Sequence, residues 1–382
     1  MGNFAPMNGS SIHIFASPQS WVEEAARQQL RHVANWPDVQ AIAGMPDLHP
    51  GRYGPIGCTT ATGKTVYPDL IGTDIGCGMA LWKLDLSFHR LKLDKACHQL
   101  SKLEDYKIES LPDSLKQIEF DNPLLVQPFI ASLGTIGGGN HFCEIQVIHD
   151  IIDTEKAQNL GLKKGSLVLL IHTGSRGLGA FIHARYRKDG NQGLLLEEDG
   201  KAYLKDHDTA LHFAALNRQQ IAERAIRLLK TEGCELLDIP HNFAEFHSTK
   251  ILHRKGAAPS DRGLVPIPGS RGDFTYVVSP ETPLSDSLYS VAHGAGRRYE
   301  RSSMPGRVRK NANSLEELTR NPFGGRVICT DKQLLMEEAP LAYKDIQQVI
   351  SDLETFRLAK TAFILRPVIT FKSAHKQERK SR

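Results

Sequence analysis

The chain has 382 residues, 40% of them hydrophobic and 24% charged, with a formal net charge of +4. This is a normal globular composition with enough apolar material for a large core, and its mild positive excess permits a polyanionic partner without demanding one. No run approaches the ~20 apolar residues of a membrane helix, no basic-then-apolar leader opens the chain, and Cys58, Cys77, Cys97, Cys143, Cys234 and Cys329 form no CxxC pair. These features exclude a spanning helix and a disulfide framework, and point to reduced thiols in a cytoplasmic protein.

In chain order, residues 18–32 read as a helix with Pro18 near its start and Trp21, Ala25 and Leu30 facing the core. SLVLLIH at 166–172 is a short apolar run ending in a glycine-rich loop, the pattern of a buried strand. Residues 207–230 carry an amphipathic helical pattern through Leu211, Ala215, Ile221, Ala225 and Leu229. A further helix is expected at 344–356, and ILRPVITFK at 364–372 reads as a late strand with proline at its edge. The basic run from His375 to Arg382 reads as a solvated tail within 373–382. Helices and strands alternate without a βαβ rhythm, so the expected class is mixed α/β (α+β) rather than a doubly wound sheet.

Between these elements lie five short clusters bearing Asp, Cys, Asn or His, four of them with glycine: GTDIGCGM (72–79), GTIGGGNHF (134–142), IHTGSRG (171–177), IPHNFAEFH (239–247) and AHGAGR (292–297). Glycine lets a ligand approach the main chain closely, and polar residues at such turns form active sites. Five clusters dispersed over the chain argue for one site assembled from the whole, hence one catalytic domain spanning 1–382.

Asp74 and Cys77 stand three residues apart around a glycine, able to grip one divalent cation, and a thiolate can bridge two. A small buried Cys beside a turn-capping Asp is the plainer reading of an isolated DxxC. His141, His172 and His241 each read singly as turn or core histidines. With Asp74 and Cys77 they make a mixed N/O/S set of transition-metal type, without fixing the metal. His293 is flanked by Gly294, Ala295 and Gly296, with Arg297 four positions on. A histidine nucleophile at phosphorus needs open space for in-line approach and a nearby cation. Its rivals are a structural turn and an esterase oxyanion loop, but no GxSxG elbow accompanies the latter. GCTTATGKT at 57–65 misses the P-loop spacing by one residue, GTIGGG lacks a dinucleotide spacing, and Arg271-Gly272-Asp273 needs no adhesion role.

The order GTDIGCGM, GGGNHF, HTGSRG, HNFAEFH, HRKGA, PGSRG, HGAGR and RPVITFK, preceded by MPDLHPGRYGPIG at 45–57, closely resembles the RtcB family of RNA ligases from about Met45 to Lys372. The resemblance implies the mixed α/β fold of that family, GTP and two Mn2+ ions as cofactors, and guanylylation of His293. GMP would pass to an RNA 3′-phosphate, produced where necessary from a 2′,3′-cyclic phosphate, before attack by a 5′-hydroxyl. It implies Asp74, Cys77, His141, His172 and His241 as metal ligands. Around the guanylate it implies Asn140, Glu144, Ser270, Thr275, Gly294, Ala295, Gly296, Arg297, Tyr343 and Lys372, with Glu144 accepting from the N–H edge of guanine.

The chain departs from the family pattern in its short length, in GRYGPIG, and in Arg271 and Asp273, where Met and Thr are usual. These features resemble the branch linked to a peptide-chain release factor homologue, which implies repair of broken RNA, tRNA and ribosomal RNA among the candidates. A release factor homologue or an archease-like helper are the implied partners. The alternative enzyme is a metal-dependent cyclic phosphodiesterase that does not seal; a non-catalytic RNA-binding protein would have lost ligands or nucleophile.

Overall fold

In the strand Ser166–Thr173 every residue is buried, as its unbroken apolar run requires. The computed structural model describes residues 9–105, 122–189, 191–281, 285–311 and 315–373; the expected basic tail lies outside them except for Ser373. Ser166–Thr173 sits inside an eight-stranded mixed sheet. The path runs Val265–Pro268, Thr275–Pro280, Ala359–Phe371, Phe142–Ile151, Ser166–Thr173, Gly78–Ser87 and Gly233–Pro240, with Arg326–Ile328 paired beside the second half of Ala359–Phe371. A second sheet has five strands in the order Ser11–Ile14, Val39–His49, Ile56–Thr62, Lys250–Lys255 and Asn242–His247.

The amphipathic pattern at 207–230 becomes the helix Lys201–Leu229, which starts at 201 rather than 207. Its Ile221, Ala222, Ala225 and Leu229 pack on Ile145, Leu167, Leu169 and Ile171 of the larger sheet. Each buried Ile or Leu among these contributes roughly 1.5–3 kcal/mol, and the exposed polar residues of the helix face the other way. The helix Ile346–Thr355 is capped by Asp345, whose carboxylate accepts from the Gln347 amide at 2.9 Å. It buries Ile346, Val349, Ile350 and Leu353 in the cluster that holds Tyr276 and Val278.

Two expectations are corrected. The first helix spans Glu24–Ala34, because Pro18 opens a turn instead and Asp352 accepts from the Ser17 amide at 3.2 Å and from the Ser20 hydroxyl. That tether leaves Trp21 56% exposed and Ala25 exposed, while Leu30 is buried. The late strand runs Ala359–Phe371 rather than 364–372, and Pro367 lies within it rather than at its edge. Pro367 falls where one neighbour, Thr275–Pro280, has ended opposite Leu365 and the next, Arg326–Ile328, begins opposite Ile369. A residue without an N–H therefore sits at the break between two partners, beside a register shift against Phe142–Ile151.

No helix among the described residues is long and apolar enough to cross a membrane.

Candidate active site

The two sheets are joined at one residue. Gly233–Pro240 belongs to the larger sheet and Asn242–His247 to the smaller, so His241 stands at the crossing. Its amide donates to Cys77 O at 2.8 Å, and its carbonyl accepts from Ala257 at 3.2 Å. Cys77 precedes Gly78–Ser87, His141 precedes Phe142–Ile151, and His172 is the penultimate residue of Ser166–Thr173. The ladder sets Met79 and Phe142 on either side of His172, and Gly78 opposite Pro240. Adjacent strand ends thereby deliver residues distant in sequence to one place.

Asp74, Cys77, His141, His172 and His241, all selected from the sequence, converge as two triads sharing Cys77: Asp74–Cys77–His141 and Cys77–His172–His241. The thiol sulfur lies 3.4 Å from His141 Nε2 and 3.2 Å from His172 Nε2, and His172 Nε2 lies 3.2 Å from His241 Nε2. Asp74 Oδ2 is 2.8 Å from His141 Nε2. Burial pushes the Cys77 thiol well up, and the Asp74 carboxylate adds to the rise. Burial likewise pulls His172 and His241 well below the ordinary histidine range. For Asp74 burial acts upward, but His141 and Arg176 outweigh it and the carboxyl ends below its usual value. Neutral imidazoles of His172 and His241 beside a thiol are donors that would suit a divalent ion of borderline transition-metal type. The loop that carries Asp74 and Cys77 is fixed by Arg218, which donates to Gly76 O at 2.8 Å and Thr173 O at 2.9 Å while pairing with Asp238.

His293 follows the short strand Ser290–Ala292, with its ring 4.7 Å from that of His241. Its Nδ1 lies 2.6 Å from Asp47 Oδ2, and its amide donates to the same oxygen at 3.3 Å. Asp47 is fully buried and sits in Val39–His49 where the pairing register breaks between Gly44 and His49. With Nδ1–H donating to the carboxylate, Nε2 keeps the free lone pair. Gly296 has φ +73°, and a Cβ there would collide with the Asp47 carbonyl, so this turn requires glycine.

These groups open into a cavity of about 930 Å³. Asn140, Glu144, Ser270, Gly294, Ala295, Gly296, Arg297, Tyr343 and Lys372 line it; Thr275 does not, and instead accepts from Gln146 at 2.9 Å. Gln146 in turn donates to Glu144, whose other oxygen accepts from Thr370. Burial raises the Glu144 carboxyl to about 7, against the pull of Thr370, Gln146, Lys372 and Arg271. Lys372 donates to His141 O at 2.9 Å, and burial lowers its ammonium to about 8. Arg297 is held within the protein through all three nitrogens: Nε to Tyr299 O at 3.1 Å, Nη1 to Glu338 Oε1 at 3.0 Å and Nη2 to Glu337 O at 2.9 Å.

Asp47 and Glu338 are the residues that sequence reasoning missed. Asp47 stands in MPDLHP, a segment noted for its resemblance but given no role. Glu338 is 2% exposed and meets Arg297, Arg301 and the Tyr343 hydroxyl. It carries no glycine signature, and its place is visible only once the elements pack. Asn140 accepts from Arg301 at 3.3 Å. The unusual Arg271 and Asp273 stand against the same wall: Arg271 donates to Glu338 O and to Leu335 O at 3.0 Å, and Asp273 accepts from Ser270 at 2.7 Å.

A mixed α/β chain with two sulfur-sharing triads beside a carboxylate-held histidine is the class that fold and site define. A family profile described as "tRNA-splicing ligase RtcB" matches residues 29–122 and 120–373. The chain is 43% identical to the RNA-splicing ligase RtcB2 of Escherichia coli, over 98% of this chain and 99% of that one. It is 30% identical to the tRNA-splicing ligase RtcB of Nanoarchaeum equitans, over 94% and 95%, and 28% identical to that of Archaeoglobus fulgidus, over 91% of each. The chain belongs to the RtcB family.

Proposed function

We propose that the chain is an RNA ligase that uses GTP and manganese to join an RNA 3′-phosphate, or 2′,3′-cyclic phosphate, to a 5′-hydroxyl. The observation that carries the reading is the 2.6 Å contact between Asp47 and His293 Nδ1, beside two triads of metal-ligand type. Asp74, Cys77 and His141 would hold one Mn2+ ion, and Cys77, His172 and His241 the other. When bound, the ions would supply positive charge to neutralise phosphate oxygens and orient the leaving pyrophosphate.

The chain's own residues supply the rest. Asp47 fixes the imidazole so that Nε2 is the nucleophile. Nε2 bonds to the α-phosphorus of GTP, the bond to pyrophosphate breaks, and Asp47 stabilises the positive charge that the ring acquires. Glu144 accepts from the guanine N–H edge, with Gln146 and Thr370 donating to its carboxylate from behind and Thr275 accepting from Gln146. Asn140, Ser270, Tyr343, Lys372 and the backbone of Gly294, Ala295 and Gly296 surround the guanylate, and Arg297 keeps Glu338 and Tyr343 in place. GMP then moves from His293 to the RNA phosphate, whose activated end the 5′-hydroxyl attacks, releasing GMP.

Arg271 and Asp273 support placement in the short branch linked to a release factor homologue, with RNA broken in the translation machinery, tRNA or ribosomal RNA, as the substrate class. A release factor homologue or an archease-like protein is the proposed helper. The first test is incubation with manganese and α-labelled GTP, beside His293→Ala. Label on denatured wild-type protein, missing from the variant, is the expected result. Absence of label from protein with manganese bound would replace ligation by phosphoester hydrolysis on the same site.

A further inference from the structure

Trp21 is the exposed tryptophan of this chain, 56% accessible where Trp36 and Trp82 are buried. It lies before residue 29, where the family profile begins to match. The Ser17 and Ser20 bonds to Asp352 hold the segment that presents it. The Arg298 guanidinium stacks 5.7 Å from the Trp21 ring centre and 5.3 Å from that of Tyr299. Arg307 lies 3.9 Å over the same Tyr299 ring. Two aromatic rings and two guanidinium planes thus alternate as a ladder: Trp21, Arg298, Tyr299, Arg307.

This ladder adjoins the cavity already described. Tyr299, Glu300 and Arg301 line the cavity, and so do Glu23 and Ala25, just beyond Trp21. An indole left in water beside residues that line this cavity, braced by an arginine, offers a flat face of the kind on which nucleobases stack.

We infer that the Trp21–Arg298–Tyr299 ladder is a stacking platform for an unpaired base of the RNA end brought to His293. Trp21 is a positioning residue in this scheme: it holds the nucleotide and touches no reacting atom. The inference rests on the reading of the chain as an RNA ligase. Stacking of one base changes affinity by about five- to a hundredfold and tolerates any sequence, because every base has a π-face.

The test uses the full chain and short single-stranded RNA in two arms, one ending in a 3′-phosphate and one in a 5′-hydroxyl. Each is made with and without the base on its terminal nucleotide. RNA is expected to quench the emission of Trp21 in at least one arm. In that arm Trp21→Ala should weaken binding about tenfold, Trp21→Phe should restore most of it, and Arg298→Ala should fall between. Removing the terminal base should cost the wild type a similar factor and cost Trp21→Ala nothing further. Labelling of His293 by GTP, which needs no RNA, should be the same in wild type and Trp21→Ala. Unchanged binding by Trp21→Ala in both arms would overturn the platform and leave the exposed indole to a protein partner; multiplying losses would place the base elsewhere. A wild type that never takes label from GTP would sink the ligase reading instead, while quenching and binding still decide the platform.

Discussion

Asp47 and His293 are 246 residues apart in the chain and 2.6 Å apart in the fold, joined through Oδ2 and Nδ1. The contact fixes which imidazole nitrogen carries the proton. Asp47→Asn keeps the shape but presents an amide that can donate to Nδ1, which moves the proton to Nε2 and blocks the lone pair. The expected result is a fall of about a hundredfold or more in the rate of GMP attachment, with manganese still bound. A rate within a few fold of the wild type would remove Asp47 from the chemistry.

Cys77 belongs to both triads, whereas His141 and His241 each belong to one. Cys77→Ala should therefore weaken both manganese sites, and His141→Ala and His241→Ala should each weaken one. Calorimetric titration of manganese into the three variants checks this through the number of sites lost. Loss of a single site in Cys77→Ala would show that the sulfur serves one ion.

Glu144 gives two pH trends of opposite sign. Its folded pKa of about 7 lies above the ordinary glutamate value because burial opposes its charge. Its favourable contribution to stability is complete below the unfolded value and is lost as pH rises through about 7, a loss of up to roughly 3 kcal/mol. Guanine recognition needs the ionised form as acceptor, so GTP affinity should rise over the same interval. Glu144→Gln should flatten both curves, measured as melting temperature without nucleotide and as GTP binding between pH 5.5 and 8.5. If GTP affinity keeps its pH dependence in the variant, another group reads the guanine.

The chemistry of the site was more legible in the sequence than its scaffold. Cys77, His141 and His172 stood out because glycine-rich turns set them beside apolar strands, and His241 because it follows Leu-Asp-Ile-Pro; the structure does bring them together with Asp74. Asp47 and Glu338 were not legible. Asp47 acts from a strand interior at a register break, and Glu338 from a stretch with no turn signature. Their importance comes from what packs on them. The first helix was misplaced for a related reason: local periodicity admitted a start at Pro18, but the long-range bonds from Ser17 and Ser20 to Asp352 hold that segment out of the helix. Trp21 then faces water, against the rule that a large apolar ring turns inward.

Arg218 is 2% exposed and joins three parts of the site's foundation. It pairs with Asp238 through Nε at 2.6 Å and Nη2 at 3.0 Å, and Nη1 holds the carbonyls of Gly76 and Thr173. Gly76 lies between Asp74 and Cys77, and Thr173 follows His172, so one guanidinium sets two ligand-bearing turns against each other. Arg218→Met keeps much of the volume but strands the half-buried Asp238 and two carbonyls. Removing one partner of a buried pair costs roughly 3–5 kcal/mol, so the variant should melt markedly lower. Manganese affinity should fall with it, although no proposed ligand has been changed. Arg218→Lys can meet only some of these acceptors, because an ammonium lacks the planar fork, and should recover part of the stability and less of the metal binding. If Arg218→Met lowers the melting temperature but leaves both manganese sites at wild-type affinity, the turns hold their shape without the guanidinium, and Arg218 serves the fold alone.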